Sequence, residues 1–181
     1  QLLGTAGTLR QNVGFFEDQP ILLVHADNWC QCDFSEFLGF HSHRRPSGTS
    51  ITMMTFRTSS PTACGIVEVD GKGVVQNFHE KIEDPPGNLA NGAIYLLEPE
   101  VSAWIGERLF VKDFSTQVIP HFLGRIATWE NQGIHRDIGM IHSLVAAQSD
   151  PQPVNCWDTA DSWSRAFESH PVHHQLVGEI H

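Results

Sequence analysis

The chain has 181 residues, of which 40% are apolar, and its formal net charge is −10. This length suits one domain with a hydrophobic core, and the excess of acidic over basic residues argues against a nucleic-acid-binding surface. The longest apolar runs, such as residues 21–24, are too short to cross a membrane. No charged-then-apolar leader is visible, so we expect no signal peptide.

The first predicted element is a short strand at residues 20–27, Pro-Ile-Leu-Leu-Val-His-Ala-Asp. An apolar run closed by an acid is typical of a strand buried on both faces of a parallel sheet. Asp27 would then lie at the carboxyl end, where open α/β sheets bind ligands. Apolar residues at helical spacing after Asp33 predict a helix over 33–44, and the β-branched segment 49–57 predicts a second strand.

The remaining sequence up to residue 148 predicts a hairpin and then a succession of strands and helices. Two short strands flank the turn at 70–73, and the second strand runs to Lys81. After a polar loop at 83–88, the predicted elements are, in order, a buried strand at 91–97, a helix from Pro99 to Ile105, an amphipathic stretch at 114–124, a strand and turn at 125–135, and a helix at about 140–148.

The composition changes from Asp150 onward, where prolines, histidines and acids dominate. We therefore expect one domain over 1–148 and a tail over 149–181, with a candidate helix at 158–168. Four tail histidines offer a transition-metal site, although a solvated tail is the favoured interpretation.

The chain has four cysteines, Cys30, Cys32, Cys64 and Cys156. They are too few for a secreted disulfide scaffold, so we predict reduced thiols in a cytoplasmic protein. The spacing Cys30-Gln31-Cys32 is not that of a zinc knuckle. A zinc cluster that adds His41 and His43 is the alternative.

Several residues carry functional groups that suit phosphate chemistry. Asp27 ends a predicted strand and Asp137 lies between a predicted strand and a predicted helix. Two carboxylates at the carboxyl ends of strands suit Mg²⁺, which takes one or two carboxylates plus substrate phosphates. Glu80-Lys81 offers an acceptor for hydroxyls and a cation for a phosphate. The small-residue segment Gly4–Thr8 would let backbone amides approach a ligand. Taken singly, these features also fit a helix cap, a surface ion pair or a turn.

The order of the motifs is more specific than any one of them. Seven follow one another: Leu3–Leu9, Leu22–Asn28, Cys64–Asp70, Phe78–Lys81, Asn91–Tyr95, Asp113–Ser115 and Arg136–Gly139. Over residues 1–148 this order resembles the sugar-1-phosphate nucleotidyltransferases. Within that family the chain most resembles mannose-1-phosphate guanylyltransferases, and D-glycero-D-manno-heptose-1-phosphate guanylyltransferases are nearly as similar.

The resemblance implies an α/β, Rossmann-like (GT-A-like) mixed sheet flanked by helices. It also implies that a sugar 1-phosphate oxygen attacks the α-phosphorus of a nucleoside triphosphate, GTP with mannose 1-phosphate, and that pyrophosphate leaves. The resemblance also implies roles for individual residues. Asp27 and Asp137 would act in catalysis by binding Mg²⁺, and Lys81 would act in catalysis by neutralising the sugar phosphate. The sugar would be bound by Glu80, Asn91 and the backbone of Gly65, and the nucleobase by Gly4, Thr5, Ala6 and Gly7.

The chain also departs from the family pattern. Ala26 and Met140 stand where the family has Gly and Thr, and the Gly-x-Gly-Thr-Arg loop with its Pro-Lys pair has no match. We therefore expect a fold without its first βαβ portion, which alone makes no GDP-sugar. The sheet edge left exposed would favour pairing with another chain, so a homo-oligomer is among the expected partners. The alternative is a truncated, non-catalytic relative that binds sugar phosphate or nucleotide, or acts in regulation.

Overall fold

The structure, a computed structural model, describes residues 2–16 and 18–151. The chain divides into two compact units, Gln1–Gln148 and Ser149–His181. The helix predicted at 158–168 and the four tail histidines lie outside the described residues. The elements of the first unit build the fold.

Runs of two to four strands are separated by helices along this unit. The strands are β1 (Ile21–Val24), β2 (Asn28–Cys30), β3 (Ile51–Arg57), β4 (Gly65–Val69), β5 (Val75–Glu80), β6 (Leu89–Leu97), β7 (Ile126–Glu130) and β8 (His135–Asp137). The α-helices are α1 (Thr5–Gln11), α2 (Phe34–Gly39), α3 (Pro99–Gly106) and α4 (Ile141–Ala147). Shorter helical turns are Val13–Phe15, Phe40–Arg44, Pro61–Ala63, Phe114–Val118 and Ile119–Phe122.

The main sheet is mixed, as predicted. Its order is β5-β4-β6-β3-β7, and β1 also pairs with β6. β3 and β7 run parallel, whereas the other paired strands are antiparallel. Helices flank this sheet, so the predicted α/β class is confirmed.

The environment predicted for β1 is wrong. β1 runs antiparallel to β6 rather than parallel to a neighbour, with Ile21 opposite Leu97. Leu22 and Val24 are 46% and 44% exposed, so only one face of the strand is buried. An unbroken apolar run does not distinguish a strand buried on both faces from one that is partly exposed.

Both faces of the sheet carry a core, because successive strand residues point to opposite faces. In β6, Tyr95 and Leu97 belong to a large cluster with residues of α1, α3 and the segment 114–122. Ile94 and Leu96 belong to a smaller cluster with Phe37 of α2. The sheet is thus a middle layer, which is the usual arrangement in α/β domains.

β6 is irregular near its middle. Its residues Asn91 and Tyr95 are four positions apart, yet they face Thr55 and Met53 of β3, which are two positions apart. β6 therefore carries two extra residues at this point. We call residues 91–93 the β6 bulge. Bulges re-aim side chains and interrupt pairing.

A separate two-stranded ribbon consists of β2 and β8, with Asn28 opposite Asp137 and Cys30 opposite His135. The sequence predicted neither strand, because three residues are too few to show a periodicity. We call this pair the β2–β8 ribbon. No helix in the described part of the chain is long and apolar enough to span a membrane.

The turn before β8 holds the ribbon closely. Asn131 Oδ1 accepts the Gly133 amide at 2.8 Å, and Gln31 N donates to Ile134 O at 2.8 Å. A Cβ at Gly133 would collide with the carbonyl oxygen of Gln31, which is backbone and cannot rotate away.

We predict that Gly133→Ala lowers the free energy of unfolding by about 1–3 kcal/mol, because the new methyl forces the ribbon and the turn apart. Gly87→Ala is the matched control, since nothing lies within 4 Å of its added Cβ. Denaturant unfolding of both variants measures the difference, and equal midpoints would contradict the close contact.

Candidate active site

The carbonyl of Gly92 in the β6 bulge joins the ribbon to the main sheet. Asn28 Nδ2 donates to Gly92 O at 3.0 Å, and His135 Nε2 donates to the same oxygen at 2.8 Å. His135 also stacks on Phe56, with ring centroids 4.1 Å apart. Donors from both ribbon strands therefore meet one acceptor, which fixes the ribbon against β6.

Burial lowers the pKa of His135, although the hydrogen bond to Gly92 O and the Asp137 carboxylate oppose that shift. A neutral imidazole with its proton on Nε2 is the tautomer that donates to Gly92 O. The neutral form therefore suits the position.

This join determines where the two predicted metal ligands lie. Asp27 occupies the turn just before β2, and its carbonyl accepts Ile138 N at 2.8 Å. Asp137 ends β8, opposite Asn28. The two aspartates thus lie on neighbouring rungs of one ribbon, and both are exposed.

The donor set fits a magnesium ion. Asp137 Oδ1 accepts the Gly139 amide at 2.8 Å, which orients that carboxylate while its second oxygen can meet a cation. Among residues 2–16 and 18–151, no group of three His, Cys, Asp or Glu side chains could hold a metal ion. Mg²⁺ commonly takes only one or two protein carboxylates and completes its shell with water and substrate phosphates.

A second polar group lies at the start of β4 and the end of β5. Gly65 faces Glu80 across these strands. A Cβ at Gly65 would come within 2.8 Å of Glu80 Oε2 and 2.6 Å of the Phe78 ring. Because glycine has no side chain, the Glu80 carboxylate can occupy the space beside Gly65.

The amide of Asn91 connects this second group to the β6 bulge. Asn91 Nδ2 donates to the Tyr95 hydroxyl at 2.7 Å, and Asn91 Oδ1 accepts the Ala93 amide at 3.0 Å. Ala93 has a φ of 52°, and the Asn91 bond supports this left-handed conformation. Asn91 retains one N–H and one lone pair that these bonds do not use.

Tyr95 and Glu80 belong to the same electrostatic environment. Tyr95 is fully buried, which raises the pKa of its hydroxyl, while hydrogen bonds from Asn91 and Ser115 oppose the shift. Burial also raises the pKa of Glu80, the Lys81 ammonium opposes that shift, and the Asp113 carboxylate adds to it. The acidic groups of Glu80, Tyr95 and Asp113 thus lie near one another, with the Lys81 ammonium beside Glu80.

Lys81 follows β5 directly and has a φ of 51°. Its amide donates to Cys64 O at 3.2 Å, and its side chain is exposed. The backbone is therefore held in an uncommon conformation while the ammonium can meet a ligand.

The segment Gly4–Gly7 differs from its sequence interpretation. The amides of Ala6 and Gly7 donate to Lys112 O at 2.9 and 3.2 Å, and Thr5 Oγ1 accepts Phe114 N at 2.8 Å. The expectation that this segment offers its amides to a ligand is therefore wrong for Ala6 and Gly7, because a protein carbonyl already accepts both.

Gly4 is required for this contact. It has a φ of 75°, and a Cβ there would collide with Lys112 O.

The zinc cluster considered from the sequence does not form in the described residues. His41 is buried, with Nδ1 2.7 Å from Thr52 Oγ1 and Nε2 3.2 Å from Glu98 Oε1. It therefore binds β3 and the end of β6 rather than the cysteines.

Sequence reasoning missed the roles of Asn28, His135 and Tyr95 in this arrangement. Asn28 and Tyr95 lie inside the quoted motifs, but their partners are distant in sequence. The dipeptide Asn91-Gly92 was the available signal for the bulge, since Asn-Gly is a strong turn sequence.

Comparison with protein families gives one match to the described domain. The family model described as nucleotidyl transferase matches residues 1–152. A glucose-1-phosphate adenylyltransferase from Clostridium beijerinckii is 26% identical over 189 residues, which cover 97% of this chain and 49% of that protein. The chain therefore spans about half the length of the curated relatives it matches.

Solved structures show the same fold. A protein from Bacillus anthracis, assigned as a glucose-1-phosphate thymidylyltransferase and bound to sucrose, aligns with a TM-score of 0.72 at 17% identity, covering 87% of this chain and 65% of its own. HddC from Yersinia pseudotuberculosis, complexed with GMP-PN, aligns with a TM-score of 0.65 at 19% identity, covering 81% and 62%.

We predict that Glu80→Gln changes how stability depends on pH. A carboxyl whose folded pKa lies above its unfolded value near 4.5 binds more protons when folded, so its contribution to stability is lost as pH rises through the folded pKa. The free energy of unfolding of the wild type should therefore fall relative to Glu80→Gln as pH rises from 4.5.

Denaturant unfolding of both proteins between pH ~4 and ~7 measures this slope. Glu83→Gln, in the exposed loop after β5, is the charge-matched control. A constant difference between wild type and Glu80→Gln across this range would contradict the electrostatic environment of Glu80.

Proposed function

The chain belongs to the nucleotidyl transferase family, whose model matches residues 1–152, and from this we propose that the whole protein is a sugar-1-phosphate nucleotidyltransferase. In the reaction, an oxygen of the sugar 1-phosphate attacks the α-phosphorus of a nucleoside triphosphate. The bond to the β-phosphate breaks, and pyrophosphate leaves. Such chemistry depends on positioning and charge neutralisation rather than on a protein nucleophile.

The observation that carries the proposal is the β6 bulge. Its Gly92 carbonyl holds the ribbon that bears Asp27 and Asp137, and its Asn91 amide reaches Tyr95 beside Glu80. The residues that the family resemblance assigns to metal binding are therefore held through Gly92. Those assigned to sugar binding lie around Asn91, the preceding position of β6.

Asp27 and Asp137 would hold Mg²⁺, which when bound neutralises phosphate charge and orients the triphosphate. The protein's own share is twofold: the Gly139 amide donates to Asp137 Oδ1 and orients that carboxylate, and the Ile138 amide donates to the backbone carbonyl of Asp27 and fixes the turn that carries Asp27. Electrostatic catalysis requires charged groups that are held in a fixed orientation in this way.

The second group would bind the sugar phosphate. Lys81 neutralises the phosphate as a point charge, and Glu80 accepts hydrogen bonds from sugar hydroxyls. Asn91 offers its remaining N–H and lone pair. Gly65 allows the sugar to approach the backbone of β4, because it carries no side chain.

The segment at Gly4, Thr5, Ala6 and Gly7 stays in the proposal as a surface near the nucleobase. Because Lys112 O accepts the Ala6 and Gly7 amides, a base here would meet side-chain and carbonyl atoms instead. A cytoplasmic location and a homo-oligomer also stay predictions.

Two combinations of nucleotide base and sugar are candidates for the substrates. The motifs resemble those of guanylyltransferases for mannose 1-phosphate, with a heptose 1-phosphate as the second choice. The curated relatives cited above are named for adenylyl transfer to glucose 1-phosphate. Their names favour ATP and glucose 1-phosphate, so the guanylyl and mannosyl assignment has no support from them.

A substrate panel decides the function. Pyrophosphate release by the full-length gene product is measured with ATP, GTP, dTTP and UTP, each against the 1-phosphates of glucose, mannose and heptose. The proposal expects release with at least one pair. Binding without release for every pair would instead favour a non-catalytic relative.

We predict that Asp27→Asn and Asp137→Asn each lower turnover at least about 100-fold, because each removes a charge facing the metal and phosphates while keeping the side-chain shape. Turnover on the best pair from the panel, and Mg²⁺ affinity by calorimetry, are the measurements.

Asp84→Asn, in the exposed loop after β5, is the control and should leave both quantities unchanged. Wild-type turnover in either Asp27→Asn or Asp137→Asn would contradict the assignment.

A further inference from the structure

Two cysteines lie side by side at the end of the β2–β8 ribbon, outside the groups described above. Cys30 is the last residue of β2 and pairs with His135, and Cys32 follows two positions later. Both side chains are partly buried against the small core that contains Met54 and Ile94, and both are free thiols.

The backbone brings the two sulfur atoms to the same side. The ladder continues past Cys30, since Gln31 N donates to Ile134 O at 2.8 Å, and residues two apart on an extended strand point to one face. Two strand residues span about 6.6 Å between Cα atoms, and a disulfide also needs its Cβ atoms about 3.8 Å apart, so closure requires the backbone around Gln31 to bend. The Cys32 thiol hydrogen-bonds to Cys30.

The surroundings of the two thiols differ. Asn131 Nδ2 donates to Cys30 Sγ at 3.6 Å, and Asn131 is itself buried. The Cys30 thiol itself donates to Met54 Sδ at 3.6 Å, which is a weak acceptor. The hydrogen bonds from the Asn131 amide and the Cys32 thiol stabilise a thiolate at Cys30 Sγ, whereas the bond to Met54 favours the protonated form.

The pKa values of the pair follow this asymmetry. The hydrogen bond from Cys32 lowers the pKa of Cys30, against the effect of burial. The same bond, burial, and the charges of Cys30 and Asp33 raise the pKa of Cys32. Because the Asn131 amide donates to Cys30 Sγ, Cys30 is the thiol that the geometry favours for attack, which leaves Cys32 as the resolving cysteine.

Cys64 provides an internal comparison. It is also partly exposed and free, and its Sγ donates to Thr58 Oγ1 at 3.8 Å, but it lies outside the group formed by Cys30, Cys32 and Asn131. It lies at the start of β4, away from the ribbon.

We propose that Cys30 and Cys32 form a redox-active dithiol, with Cys30 as the attacking thiol, which closes to an intramolecular disulfide by exchange with a low-molecular-weight disulfide. The site needs no metal or nucleotide, so it stands independently of the proposed transferase activity.

The exchange balances in two steps. Cys30 thiolate attacks one sulfur of the small disulfide, which forms a mixed disulfide and releases one small thiol. Cys32 then attacks the Cys30 sulfur, the mixed disulfide breaks, and the second small thiol leaves. The two protons of the cysteine thiols end on the two released thiols, and the small disulfide is reduced as the protein dithiol is oxidised.

The test uses the full chain titrated with glutathione disulfide, quenched with an alkylating agent and digested with trypsin. Cys30 and Cys32 share the tryptic peptide 11–44, whereas Cys64 lies in 58–72 and Cys156 in 137–165. We expect peptide 11–44 to lose two hydrogens and to resist alkylation, while Cys64 stays alkylated.

Variants separate the two roles. Cys32→Ser removes the resolving thiol, so a glutathione adduct should accumulate on Cys30. Cys30→Ser should slow the reaction of the remaining thiol. Alkylation of Cys30 at neutral pH should be roughly tenfold faster than that of Cys64. Cys64→Ser is the matched control and should leave closure unchanged.

Equal reaction at Cys30 and Cys64, linkage of Cys30 to Cys64 or Cys156, dimers joined by a disulfide, or no loss of hydrogens from peptide 11–44 would each overturn the proposal. Circular dichroism of each variant checks that its fold is retained.

Discussion

The candidate site depends on the hydrogen bonds that the Gly92 carbonyl accepts. This carbonyl accepts hydrogen bonds from Asn28 and His135, which belong to the two strands of the ribbon. It is available because the β6 bulge turns this peptide away from the regular ladder with β3. A regular strand would direct the carbonyl to its neighbour, and the ribbon that carries Asp27 and Asp137 would have no anchor on the sheet. Two extra residues in one strand therefore determine the geometry of the whole group.

Charge is the second constraint on this site. Asp27 and Asp137 are exposed, while Glu80 is partly buried near Asp113 and opposed by Lys81. The formal net charge of the whole chain is −10. An acidic site of this kind binds phosphate groups only together with a cation, so the proposed magnesium requirement follows from electrostatics as well as from family resemblance. In the proposed function, the exposed Asp pair would meet the cation and Lys81 would meet a phosphate.

Residue patterns predicted α2, α3, α4 and most strands because their signals are local, whereas α1 begins inside the segment Gly4–Thr8 that the sequence pattern assigned to ligand contact. Asp33 caps α2 by accepting the Glu36 amide at 2.9 Å, and the turn at 70–73 joins β4 to β5. The bulge, the ribbon and the antiparallel pairing of β1 depend on contacts distant in sequence, such as His135 with Gly92, which no local pattern contains. For the candidate site, motif order predicted Asp27, Glu80, Lys81, Asn91 and Asp137, whose roles stay predictions. It did not reveal that Ala6 and Gly7 donate their amides to Lys112.

The most direct test of this account is a Mg²⁺ titration of the full chain followed by amide chemical shifts. The account predicts the largest changes at the amides of Asn28, Gly92 and Ile138, because the ribbon and the bulge respond as one unit. These changes should disappear in Asp27→Asn and persist in Asp84→Asn. Changes centred elsewhere in the sheet, or unaffected by Asp27→Asn, would contradict the claim that the β6 bulge positions the metal-binding carboxylates.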